Sequence, residues 1–108
     1  MAHDPALAQH IRELLDVEPD VVEKSMFGGR AFLIAGHLAV AANSRGGLMV
    51  RIEPDDAEEL LADPRATRMV MRGREMAGWL RVDLSAGDDD LAAWVRHGVA
   101  YASSLPPR

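Results

Sequence analysis

Residues 25–47 read SMFGGRAFLIAGHLAVAANSRGG. Two glycines lead into a nearly unbroken run of small and apolar residues, and two more glycines close it. Three structures share this outline: a phosphate-cradling loop, a membrane segment, and the hairpin at the centre of a small domain. A phosphate loop needs Gly-Lys-Ser/Thr after its glycines, or a GxGxxG, together with a helix whose N-terminus faces the anion. None of these is here. The run from Ala31 to Ala42 is broken by Gly36 and His37 and is shorter than the roughly 20 apolar residues that cross a bilayer. The hairpin remains. Two strand-like runs, residues 30–35 and 37–43, meet at Ala35-Gly36 in a tight turn, and Gly28-Gly29 bends the backbone into the first of them.

Outward from this hairpin lie further strands and three helices. GGLMVRI gives a third strand, and TRMVM with EMAGWLRVD a second hairpin around Arg72-Gly73-Arg74. A further strand through the Met26 region is left open. Asp4-Pro5 starts a helix over residues 5–16, with Leu7, Ile11, Leu14 and Leu15 at helical spacing. EPDDAEELLAD reads as a second helix, closed by Asp63-Pro64. Asp88 caps a third, with Asp89 and Asp90 in its first turn and Leu91, Trp94, Val95, Gly98 and Ala102 on its inner face. Residues 103–108 form a frayed tail. Strands bunched in hairpins, rather than alternating with helices, make this an α+β chain. The expected architecture has two layers, with about five antiparallel strands and three helices on one face, in the order α-β3-α-β2-α.

A chain of 108 residues that is 48% hydrophobic sustains one core, so residues 1–108 are read as a single domain. Cysteine is absent, which removes disulfides, thiolate nucleophiles and zinc-thiolate sites. The N-terminal residues mix acids and bases and lack the pattern of a signal peptide, so the expected compartment is the cytoplasm. Net charge is −5, against non-specific nucleic-acid binding, but its distribution is uneven. Lys24, Arg30, Arg45 and Arg51 lie in a stretch without Asp or Glu, and Arg65, Arg68, Arg72, Arg74 and Arg81 face only Glu75.

Catalytic patterns are missing. His3, His10, His37 and His97 show no metal-ligand spacing. The serines lie in loops or the tail without a GxSxG elbow. Asp55-Asp56 and Asp88-Asp89-Asp90 fall at helix starts, where capping and the helix dipole account for them. The methionines read as gap-filling core residues. The expectation is a non-enzymatic chain with no metal and no cofactor.

The ordered set of Met26-Phe27-Gly28-Gly29 after an amphipathic helix, a Gly-turned hairpin, GLMVRI before an acidic helix, an arginine-glycine hairpin and a closing acidic-capped helix resembles the N-terminal domain of the TfoX/Sxy family. The resemblance covers roughly residues 5–103. It implies a fold similar to secretion chaperones, helices packed on one antiparallel sheet, with Met26, Phe27, Gly28 and Gly29 as a structural motif and no assigned catalytic site. The best-known members are bacterial regulators of DNA-uptake competence, which act with a cyclic-AMP receptor protein at promoters. Those regulators carry a second, helical domain, so a stand-alone domain is expected here.

Strand alternation places Leu38, Val40, Leu48, Val50, Ile52, Leu80 and Val82 under the helices. Arg30, Phe32, Ile34, Met49, Arg51, Arg68, Val70, Trp79 and Arg81 are then expected, partly exposed, on the opposite face. Of these, Arg30, Phe32, Met49, Arg51, Arg68, Trp79 and Arg81 are the candidate partner-binding residues. Trp, Met, Phe and Arg are enriched at protein interfaces, so the expected partner is another protein or a second copy in a homodimer. The alternative is a nucleic-acid accessory surface of arginines and an aromatic.

Overall fold

The computed structural model describes residues 5–26, 29–42, 47–71, 73–84 and 89–106. Helix α1 (Pro5–Leu14) leads into β1 (Val21–Met26), β2 (Gly29–Ile34), β3 (His37–Ala42) and β4 (Leu48–Arg51). A short 3₁₀ turn (Pro54–Asp56) and α2 (Ala57–Leu60) follow, then β5 (Ala66–Met71), β6 (Arg74–Val82) and α3 (Leu91–Ser104). The strands form one antiparallel sheet in the order β1-β2-β3-β4-β6-β5. The chain steps out of sequence order once, between β4 and β5, where the 3₁₀ turn and α2 carry it past β6 to the far edge.

The helices lie on one face. Leu7, Ile11 and Leu15 from the first helical segment, Ala57 of α2, and Leu91, Trp94 and Val95 of α3 pack on Phe32, Val40, Leu48, Val50, Leu80 and Val82. Among the described residues, no helix is long and apolar enough to cross a membrane.

Two expectations of architecture change. The sheet has six strands, because Val21–Met26 pairs along the whole of β2. Its period-2 signal is masked by Glu23, which faces the helix layer as a charged residue. The helix count stands, but α3 begins at Leu91 with Asp90 at the N-cap, and no side-chain cap bond is made there or at the starts of the 3₁₀ turn and α2. Asp90 instead turns to Arg65, so an ion pair rather than capping accounts for its position. Asp88 lies outside the described residues. At the other end α3 runs through Ser104, and His37 Nε2 lies 2.5 Å from the Pro106 carbonyl oxygen, so this part of the expected tail is docked on the start of β3.

The central hairpin is as expected. Ala35 and Gly36 have φ of 51° and 87°, the pair of left-handed residues that a two-residue turn needs to match strand twist. Met26 pairs with Gly29 across the first hairpin. Gly29 is buried, and Phe27 and Gly28 lie outside the described residues.

Candidate interaction surface

Two irregularities in the sheet decide which side chains share a face. From Ile34↔His37 and Leu33↔Leu38, the ladder jumps to Phe32↔Val40, so Ala39 is an extra residue on β3. Such a bulge reverses the alternation beyond it. Phe32 therefore joins Val40 beneath the helices, 1% exposed, and Leu38 crosses to the other side beside Leu33. Ile34 packs with Ala39 and Ala102 of α3. Arg30, in step with Phe32, also turns to the helix side, where its Nε donates to Glu23 Oε2 at 2.7 Å. The cause sits on α3: a Cβ on Gly98 would lie 2.4 Å from the Ala39 carbonyl oxygen, so the helix rests on the bulged backbone itself.

The second irregularity lies between β5 and β6. Arg68 pairs with Leu80 and Val70 with Glu75, so two steps on β5 span five on β6, an excess of three. An odd excess again flips the face. Gly78, with φ of 81°, lies within this excess, and the Ile52 N–H donates to its carbonyl at 2.8 Å. Arg68 consequently faces the helix layer and reaches Glu58 at 3.1 Å. Val70 is 59% exposed on the edge strand.

Of the expected face, then, Arg30, Phe32, Ile34 and Arg68 belong to the helix side. Met49, Arg51, Trp79 and Arg81 do share the opposite side, through the pairs Met49↔Arg81 and Arg51↔Trp79. Alternation did not foresee their companions. Ala31, Ala41, Met49 and Met69 form a second apolar cluster, packed against by half-buried Leu33, Leu38, Met76 and Trp79. Met49 is 2% exposed, so the expectation that it stays partly exposed fails. The larger side chains around it close over it. Among the described residues no helix contributes to this cluster.

Arg51 stands at the rim. Beyond Val40↔Val50 the strands β3 and β4 no longer pair, and the Arg51 guanidinium lies 5.8 Å from the Trp79 ring centroid and 5.5 Å from that of Tyr101 on α3. Both distances are within the range of cation–π attraction. Arg51 thus spans the end of the sheet, with one ring from each layer. It makes no ion pair among the described residues.

The helix side, by contrast, holds tightly paired charges. Arg12 grips Glu23 with two bonds of 2.7 Å, and Arg30 adds a third. The Arg12 hydrogen bonds, with Arg30 assisting, outweigh partial burial and lower the Glu23 carboxyl to about 2. Arg65 bonds Asp63 at 2.7 Å and also Asp90, tying the turn before β5 to the start of α3. Its guanidinium holds both carboxyls below their usual range. A cleft of about 350 Å³ beside α1 and β1 is lined by Arg12, Asp16, Glu18, Asp20 and Glu23, its two central charges already paired with each other. A second, of about 250 Å³, lies between Glu53, Asp56, His97 and Tyr101. Among the described residues no three His, Asp or Glu side chains are grouped to hold a metal ion.

The family model of the TfoX N-terminal domain matches residues 13–102. Comparison with curated proteins and with solved structures returned no match. The matched span takes in all six strands, the face they build away from the helices, and all of α3 but its last two residues. The chain belongs to the TfoX N-terminal domain family.

Proposed function

We propose that this domain is a non-enzymatic regulatory module of the bacterial cytoplasm that works by binding another protein through the helix-free face of its sheet. One observation carries the reading: Trp79, Leu33, Leu38 and Met76 stand half-buried on a face with no helix over it among the described residues. Tryptophan and arginine are among the residue types enriched at the energetic centres of protein contacts. The regulatory part rests on the family, whose best-known members control competence.

Trp79→Ala tests the contact. Removing a central tryptophan from an interface costs about 2 kcal/mol or more, or roughly 30-fold in affinity. Sedimentation reads self-association, and quantitative affinity capture from the native host reads hetero-association, each beside a denaturant melt. Association weakened by that factor in a folded variant supports the proposal. Unchanged association in the folded variant overturns it.

A further inference from the structure

The helix-free face is not only apolar. By register, Lys24 shares it opposite Ala31, and Arg51 and Arg81 share it opposite Trp79 and Met49. The strand residues of this face carry no carboxylate, although Asp and Glu outnumber Lys and Arg by 17 to 12 in the chain. The pairing state differs as well. On the helix side Arg12, Arg30, Arg65 and Arg68 are each joined to carboxylates. Lys24 and Arg51 make no ion pair among the described residues. Arg51 is instead positioned by two aromatic rings, which orient a guanidinium without neutralising it and leave its N–H donors for an incoming carboxylate.

We infer that the occupant of this face is an amphipathic helix of a partner protein with acidic flanks, its apolar stripe on Trp79, Met76, Leu33 and Leu38 and its carboxylates meeting Arg51 and Lys24. The inference rests on the contact-face reading above and adds the chemistry of the partner. Methionine and leucine around one tryptophan form an adaptable apolar bed, suited to a helix stripe. Among the described residues only Trp79 offers an aromatic ring on the strands of this face, so a series of bases has no platform there, and Lys24 on the edge strand and Arg51 at the sheet's end lie at its rim rather than along a track. Charge complementarity of this kind sets orientation and partner choice more than raw affinity.

The test uses three synthetic helical peptides with one shared apolar stripe and polar flanks made of Glu, Gln or Lys, with oligothymidine as the nucleic-acid probe. Fluorescence anisotropy at two salt concentrations reads binding to the full chain. The Glu peptide is expected to bind about tenfold tighter than the Gln peptide, with the Lys peptide weakest and the spread narrowing at high salt. Lys24→Glu/Arg51→Glu should reverse the order of the Glu and Lys peptides, while Arg96→Glu, exposed on α3, should leave it unchanged. Trp79→Ala should weaken all three. Equal binding of the Glu and Gln peptides, still dependent on Trp79, overturns the acidic partner and leaves the contact face standing. Peptide binding indifferent to Trp79 removes both. Oligothymidine binding more tightly than the Glu peptide, with steep salt dependence, replaces the helix by a nucleic acid and overturns the inference. Failure of the Glu peptide to bind also overturns it, and the contact face is then judged by the Trp79→Ala association measurement alone.

Discussion

The two tryptophans of the chain sit on opposite sides of one sheet and do opposite work. Trp94 is 6% exposed on α3, packed into the cluster that joins the helices to the sheet. Trp79 lies half-buried across the sheet, with a guanidinium at its face and no helix over it among the described residues. The side carrying Trp94 has its apolar surface covered by helices and its charges paired across elements. The side carrying Trp79 has a smaller apolar cluster that, among the described residues, is closed by its own side chains, and it has Lys24 and Arg51 at its rim. Its central residues are already buried, so this face also helps hold the sheet together. What differs is cover: helices close one side, and among the described residues none closes the other, the side proposed to meet a partner.

The strongest challenge to that division is at Phe32. As a fully covered core side chain on the helix side, Phe32→Ala should cost about 3–5 kcal/mol in a denaturant melt. A loss of under ~1 kcal/mol, as for an exposed side chain, would place Phe32 on the other face and undo the bulge at Ala39. Next is Gly98→Ala, which drives a methyl into the Ala39 carbonyl. Overpacking against backbone should cost about 2–3 kcal/mol, even though alanine favours a helix by ~1 kcal/mol. A neutral or stabilised variant would show that α3 does not rest on the bulge. Trp79→Ala is expected to cost the fold about 1–2 kcal/mol, since the ring is only partly covered. Thermal and denaturant melts of Trp79→Ala and Trp94→Ala side by side should show Trp94→Ala as clearly the worse.

The smallest effect concerns Glu23. Its carboxyl is lowered from an ordinary value of 4.5 to about 2 by Arg12 and Arg30. A depressed folded-state value stabilises the fold above the ordinary value, and this contribution is lost as pH falls from about 4.5 toward about 2. Arg12 is half exposed, so solvent screens much of the pair, and Glu23→Gln should cost less than ~1 kcal/mol at neutral pH. Acid titrations of stability should show the parent losing more than Glu23→Gln across that window. Parallel curves would mean that the pairing across α1, β1 and β2 contributes nothing.

Much of the fold was legible because helices and hairpins announce themselves locally. Leu7, Ile11 and Leu15 mark a helix by spacing alone, and Ala35-Gly36 marks a turn between two apolar runs. The faces of the sheet are a longer-range property. Alternation assigns them correctly only while the register is regular, and each bulge reverses everything beyond it. Ala39 carries no local sign of being extra, because the reason for its bulge is Gly98, distant in sequence and visible only as one more small residue on the inner face of α3. The irregularity in β6 did leave a sign, since an isolated glycine such as Gly78 within a strand pattern points to a bulge. Arg51, Trp79 and Arg81 were placed together because β4 and the end of β6 pair without interruption. Arg30 and Phe32 were misplaced because a register shift lies between them and the turn at Ala35-Gly36, and Arg68 because another lies between it and the turn of the second hairpin, from which alternation is counted.

The central claim is that the Trp79 face is the one a partner covers. Fluorine NMR of fluorotryptophan-labelled protein reads both rings at once, with each signal assigned from the Trp79→Phe and Trp94→Phe variants. On titration with the Glu-flanked helical peptide, the Trp79 signal should shift and the Trp94 signal, enclosed beneath α3, should stay in place. A shift at Trp94 with Trp79 unmoved, or no shift at either at saturating peptide, would contradict the account.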